Sequence, residues 1–266
     1  MKLKKLILYA FIPFTLGACT NWLDVAPDDQ VNEETLFSEA DGYRNALNGI
    51  YKNMAASQLY GQELSYGTAE VLSHAYSSGY LGYSYSSLYN YKYSDKDAKT
   101  IIENIWSKAY TAIANCNNLI ANAEEADPAI FSENILEKNL ILGEAYALRA
   151  FLHFDMLRLF GPIPSELSKE SIPYQTTSKQ QMSSLLPGTE ALELVIKDLK
   201  DALDLLKMSD PYLVENKNVY DDTDVNLRQF RMNYYAVKAL LARVYLWGGD
   251  RTLAYATAIE ILKAVR

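Results

Sequence analysis

Cysteine is almost missing from this chain, with only Cys19 and Cys116 among 266 residues. At most one internal disulfide is possible, so the fold is not a disulfide scaffold. Histidine is equally scarce: His74 and His153 stand far apart, and neither has a second ligand at metal-site spacing. No metal or cofactor is expected. The chain also lacks a P-loop, a G-x-S-x-G elbow and a G-x-G-x-x-G turn, the patterned routes to nucleotide binding and serine hydrolysis. Long apolar runs are absent, so no segment can span a bilayer as a helix. Positive charge is short as well, with 25 Lys and Arg against 33 Asp and Glu. An acidic surface repels phosphate backbones, which argues against nucleic acid as a partner.

Two weaker patterns fall short of a site. In "DDTDVNLRQFRMN", Asp222, Asp224 and Asn226 stand at calcium-loop positions one, three and five. Leu227 then occupies the position that needs glycine, and Asn233 the position that needs glutamate. A solvated acidic loop fits better. Thirty-three carboxylates always allow some pair at glycosidase spacing, but nothing singles one out. The chain reads as a binding protein and not as an enzyme.

What is present begins with the leader. Lys2, Lys4 and Lys5 precede an apolar stretch from Leu6 to Leu16, too short to cross a bilayer and interrupted by Pro13. It ends in Leu16-Gly17-Ala18-Cys19, which has the form of a bacterial lipobox. Residues 1–18 are therefore expected to be a lipoprotein signal peptide, and Cys19 the acylated first residue of the mature protein. Two or more acyl chains hold a soluble domain stably at a membrane surface, where one chain is marginal. Without the three leader lysines, 22 basic residues face 33 acidic ones, a net charge of −11. Cys116 lies on an apolar helical stripe and reads as a buried, inert thiol.

Most of the remainder is helix-periodic. The first helix is expected over Ser38–Met54, with Ser38 as N-cap, and the second over about Thr100–Ala123. A long third runs Ser132–Phe160 and is stopped by Gly161-Pro162. The fourth spans about Thr189–Lys207, and a final pair covers Asn233–Trp247 and Thr252–Val265. In that pair Leu241, Ala242, Tyr245, Gly249 and Ala254 stand at the spacing of a tetratricopeptide hairpin, although Lys238 sits where tryptophan is common. One hairpin cannot bury its own apolar face, so the earlier helices should stack on it. Glu144 and Arg149 in the third helix read as structural ion-pair partners between packed helices.

Four blocks, "CTNWLDVAP", "GEAYALRAFLHFDMLRLFGPIP", "VIKDLKDALDLL" and "YYAVKALLARVYLWGGD", resemble in content and order the SusD/RagB family. These are surface glycan-binding lipoproteins of Bacteroidetes outer membranes. The resemblance covers the mature chain but only the N-terminal half of a typical member. Since almost nothing follows the last helix, residues 19–266 read as a truncated, SusD-like N-terminal helical domain. The resemblance implies a mainly α fold of stacked tetratricopeptide-like hairpins carrying a long tyrosine-rich loop or short-strand insertion. It further implies a lipid-anchored, surface-exposed outer-membrane protein that delivers oligosaccharide to a TonB-dependent, SusC-like transporter. The competing reading is a tetratricopeptide-like scaffold that binds protein or peptide.

The candidate site is tyrosine-rich. Of 21 tyrosines, nine lie between Tyr60 and Tyr93. In "YLGYSYSSLYNYKY", Tyr83, Tyr85, Tyr89, Tyr91 and Tyr93 share one parity and would project from one face of an extended chain. Sugar C–H faces pack on such rings, and phenol hydroxyls bond sugar hydroxyls. The family's loop before the "W…Y" helix often contributes to the glycan site, which adds to that reading. Tyr80, Tyr83, Tyr85, Tyr89 and Asn90 are the candidate glycan residues. Tyr83 and Tyr85 are expected near a loop tip, and Tyr91 and Tyr93 in the core.

Overall fold

The computed structural model describes residues 33–179, 183–210 and 227–264. The expected leader, the lipobox Cys19 and the acidic residues Asp222, Asp224 and Asn226 lie outside them. The chain divides into two units, Met1–Ser38 and Glu39–Arg266. In the first, the described part is a short helix, α1 (Glu33–Leu36), after which the Ser38 hydroxyl donates to the Thr35 carbonyl at 2.8 Å.

The second unit holds the other helices of the described residues: α2 (Ala40–Met54), α3 (Thr68–Leu72), α4 (Tyr83–Tyr89), α5 (Lys96–Glu125), α6 (Ile135–Phe160), α7 (Gly188–Ser209), α8 (Tyr234–Trp247) and α9 (Arg251–Ala264). Six of these follow the sequence periodicity. Their ends differ where polar first turns hid the start: α5 begins at Lys96 because Ala98 is already buried against α3 and α4. Ser38 is not the cap of α2, since helical geometry starts at Ala40 and the N-cap position falls on Glu39, without a side-chain bond. Asn233 caps α8 as a side-chain acceptor, taking the Ala236 N–H at 2.8 Å.

Helix α6 is the axis of the unit. Seventeen of its 26 residues are buried, the behaviour of a helix surrounded on all sides. It packs against α5 and α7, and α8 packs on α7. A Cβ on Gly143 would stand 2.7 Å from Leu206 Cγ, so α6 and α7 approach there too closely for any other residue. The expected hairpin is formed by α8 and α9: Leu241, Tyr245 and Ala254 are buried, and the Lys238–Glu260 pair, 2.5 Å, ties the two helices.

Charge is buried in this core and is paired. Arg149 donates from Nε and a terminal nitrogen to the two oxygens of Asp198 on α7, both at 2.7 Å, and to Asn117 Oδ1 on α5 at 2.9 Å. Tyr174 also donates to Asp198, at 2.7 Å. Glu144 accepts from Tyr51 at 2.5 Å, from Arg231 at 3.0 Å, and from Arg228, which bonds Asp210 at 3.1 Å through two nitrogens. Both residues thus serve helix packing, as expected, but with separate partners. Cys116 is fully buried, and burial pushes its thiol up to about 12.

His153 is enclosed completely. Its ring stacks on Tyr174 with centroids 3.8 Å apart; Nδ1–H donates to the Arg149 carbonyl at 3.0 Å, and Nε2 accepts from the Gln175 N–H at 3.0 Å. Burial pulls its imidazole down to about 3. A base whose folded pKa lies below its unfolded value of about 6.5 leaves the unfolded state binding more protons between those two limits. The stability it confers is complete above pH 6.5 and is lost as pH falls toward 3. From pH 7 to pH 4.5 the wild type should lose about 2–3 kcal/mol more than His153→Gln. Urea unfolding of both proteins at the two pH values measures the difference, and equal losses would show that the imidazole is not held neutral.

Candidate functional site

The tyrosine-rich segment is helical, which corrects the expectation of an extended chain. Ser78–Tyr80 form one turn of 3-10 helix and Tyr83–Tyr89 form α4. In this geometry tyrosines of common parity scatter around the axis. The physical reason is a different stripe: Leu81, Tyr85, Leu88 and Tyr89 stand at i, i+4, i+7 and i+8. They close over Val71 and Ala98 in a small core that meets the main one at Ile101.

The five expected site residues therefore fall into two groups. Tyr80 and Tyr83 are open to solvent, 92% and 85% exposed. Tyr85 is turned inward, where its hydroxyl donates to Glu63 Oε1 at 2.8 Å and accepts from Gln62 Nε2 at 2.7 Å. Burial, and then the bond to Glu63, pushes its phenol up to about 12. Tyr89 packs against the small core, and exposed Asn90 donates back to the Ser86 carbonyl at 2.7 Å. Tyr91 and Tyr93, expected in the core, are about half exposed.

A residue the sequence did not single out joins them. His74 stacks on Tyr89 at 4.1 Å and on Tyr91 at 5.2 Å; Tyr91 meets Tyr93 edge-on at 6.3 Å. His74 Nε2 also lies 2.9 Å from the Tyr89 carbonyl, and Tyr91 donates to the Leu72 carbonyl at 3.1 Å. Tyr66 and Tyr76 extend the exposed aromatic surface, linked by the Tyr76 hydroxyl donating to the Tyr66 carbonyl at 2.7 Å.

The way α3 and α4 end explains the placement. After α3, the Ala75 N–H reaches the Glu70 carbonyl at 3.0 Å and the His74 N–H the Val71 carbonyl at 3.1 Å. After α4, the Lys92 N–H reaches Ser87 at 2.8 Å and the Tyr91 N–H reaches Leu88 at 2.9 Å. Both are Schellman terminations, whose left-handed residue is ordinarily glycine. Here those residues are His74, φ 59°, and Tyr91, φ 55°. The same motif ends α8 with Gly249, φ 91°. A left-handed non-glycine residue costs roughly 1–2 kcal/mol. Among the described residues three non-glycines have positive φ, Asn134 at 49° and these two, whose aromatic rings stack on each other.

A family model described as "Starch-binding associating with outer membrane" matches residues 21–246. The chain belongs to the SusD-like family. SusD-like protein P2 of Formosa agariphila is 24% identical over 246 residues, which are 92% of this chain and 43% of that relative. The crystal structure of a SusD superfamily protein from Bacteroides thetaiotaomicron superposes with a TM-score of 0.63 at 25% identity, over 85% of this chain and 46% of that one. A laminarin-binding SusD-like protein gives a TM-score of 0.61 at 18% identity, over 84% of this chain and 43% of its own. The chain spans less than half the length of these relatives. The SusD-like family is one of binding proteins associated with the outer membrane. Among the described residues no helix is long and apolar enough to cross a membrane.

The two groups of tyrosines should separate in stability. Tyr83→Ala removes an exposed ring and should shift unfolding free energy by no more than about 0.5 kcal/mol. Tyr85→Ala opens the small core and strands Glu63 and Gln62, for an expected loss of about 1–3 kcal/mol. Equal melting of the two variants in chemical denaturation would contradict this division.

Proposed function

We propose that this protein is a cell-surface glycan-binding lipoprotein that delivers oligosaccharide to a TonB-dependent, SusC-like outer-membrane transporter. The observation that carries the reading is an exposed aromatic surface on a SusD-like fold, built from α3, α4 and the turns that follow them. Family membership and the laminarin-binding relative support it. Tyr80 and Tyr83 offer open ring faces to a sugar, while Tyr85 and Tyr89 hold α4 in place from its inward face and Asn90 lies exposed at its end. Binding needs no bond to break, and no catalytic role is assigned to any residue. Residues 1–18 serve as the leader, acylated Cys19 anchors the chain in the outer membrane facing outward, and residues 19–266 form the helical domain.

The scaffold reading draws on α9, where Tyr255 and Leu262 are 70% and 58% exposed on one side of a tetratricopeptide-like hairpin. Electrophoresis through native gels containing soluble starch or laminarin separates the two. Retardation supports glycan binding, whereas binding to peptides alone supports the scaffold. Release of reducing ends from a retained polysaccharide would make the protein an enzyme. An aromatic contact is worth roughly 0.5–1.5 kcal/mol, so Tyr80→Ala and Tyr83→Ala should each weaken retention by about two- to tenfold.

The anchor has its own test. Cys19→Ala should abolish labelling by an alkyne fatty acid and move the protein from the membrane to the soluble fraction. A variant that stays labelled and membrane-bound would refute acylation at Cys19. Protease shaving of intact cells reports the outward orientation.

A further inference from the structure

Tyr80 and Tyr83 are exposed side chains, whereas the ring stack around His74 is held by two helix terminations and by hydrogen bonds between them. Two short helices end in the same termination motif, and each places an aromatic residue where glycine would relieve the left-handed backbone. The two rings produced this way lie parallel within 21° at 5.2 Å. Tyr89 supports His74 from α4 at 4.1 Å, and Tyr93 stands beside Tyr91 as an angled wall, 61° between planes. Hydrogen bonds from Tyr91 to Leu72, and between His74 and the Tyr89 carbonyl, tie each turn to the opposite helix. Backbone strain sustained by surrounding bonds is a mark of pre-organised sites.

The charge around this stack is as informative as its geometry. From Leu64 to Tyr91 the sequence carries one charged residue, Glu70, among seven tyrosines and seven serines. The nearest cations in sequence are Lys92, Lys96 and Lys99, and no arginine lies between Tyr60 and Thr100. Recognition of a carboxylate or sulfate calls for guanidinium or clustered ammonium groups. Hydroxyls and aromatic faces suit an uncharged polyol.

We infer that the His74–Tyr91 stack is the platform on which this protein receives an uncharged pyranose unit, with Tyr91 as the contacting ring and His74 as the residue that positions it. The inference rests on the glycan-binding reading and specifies both its platform and its ligand class. Tyr91 keeps 52% of its surface open to the ligand, and Tyr93 keeps 48%. Glycine at position 74 or 91 suits the left-handed backbone, so removing either ring this way leaves the helix termination intact.

The test uses the whole chain in native gels containing laminarin or soluble starch as neutral probes, or alginate as a uronate probe. The wild type should be retarded by a neutral polysaccharide and not by alginate. His74→Gly and Tyr91→Gly should each lose at least fivefold in retention, with denaturation midpoints no lower than that of the wild type. His74→Tyr restores an aromatic ring beneath Tyr91 and should recover most of the retention, which a purely structural role for position 74 would not produce. Glycine variants that bind as the wild type does would overturn the platform, and the glycan reading would stand if Tyr80→Ala or Tyr83→Ala then weakened binding. Retention by alginate equal to that by the neutral probes would overturn the ligand class. A wild type retarded by none of the three would remove the glycan reading itself.

Discussion

Everything in the large unit is organised around ionic bonds made in the absence of water. Arg149 sits in the middle of α6, and its guanidinium reaches α7 through Asp198 and α5 through Asn117. Asn117 in turn donates to the carbonyls of Gln175 and Thr177, and Tyr174 donates to Asp198. One buried cation thus ties together three helices and the segment from Tyr174 to Thr177. Such a pair adds little net stability over a well-packed apolar core, but losing one partner strands the other at a cost of about 3–5 kcal/mol. Its effect is to penalise alternative packings. Alanine-rich and leucine-rich helices of similar period could slide past one another, and a bidentate pair cannot.

The candidate binding surface is built on different terms. It rests on Val71, Leu88 and Ala98, a core of three small or medium side chains, with half-buried rings around it. Helices α3 and α4, of five and seven residues, are far shorter than isolated helices need to persist in water. Packing, termination motifs and ring stacking hold them. Ile101 on α5 packs against both this cluster and the main core, so the two meet there, while Tyr80 and Tyr83 stand open to solvent.

The long helices were legible because each carries an apolar stripe over several turns, and Gly161-Pro162 and Asn233 mark ends by mechanisms visible in the sequence. The hairpin of α8 and α9 was legible from five residues at fixed spacing. The tyrosine segment was misread because seven residues satisfy two periods at once. Alternating tyrosines imitate a strand, while Leu81, Tyr85, Leu88 and Tyr89 carry a helical stripe over the same stretch. Long-range contact decided between them, since Val71 and Ala98 need a helix to cover them. His74 was invisible for another reason. Nothing local indicates that a histidine and a tyrosine seventeen residues apart will both take a glycine's place at a helix end. Buried-charge partners were equally hidden: Glu144 and Arg149 share a helix, yet their partners come from Arg228, Arg231 and Asp198.

The burial of Cys116 gives the folded chain a chemical silence that the unfolded chain lacks. With its thiol pushed up to about 12 and no surface exposed, almost none is thiolate at neutral pH, and no reagent can approach what little there is. Unfolding returns it to an ordinary, oxidisable cysteine. Where thiols are oxidised, the interval between emergence of the chain and closure of α5 onto α6, and any later unfolding, are therefore the times at which it can cross-link to a neighbour. The speed with which those two helices meet sets how long the first of these lasts.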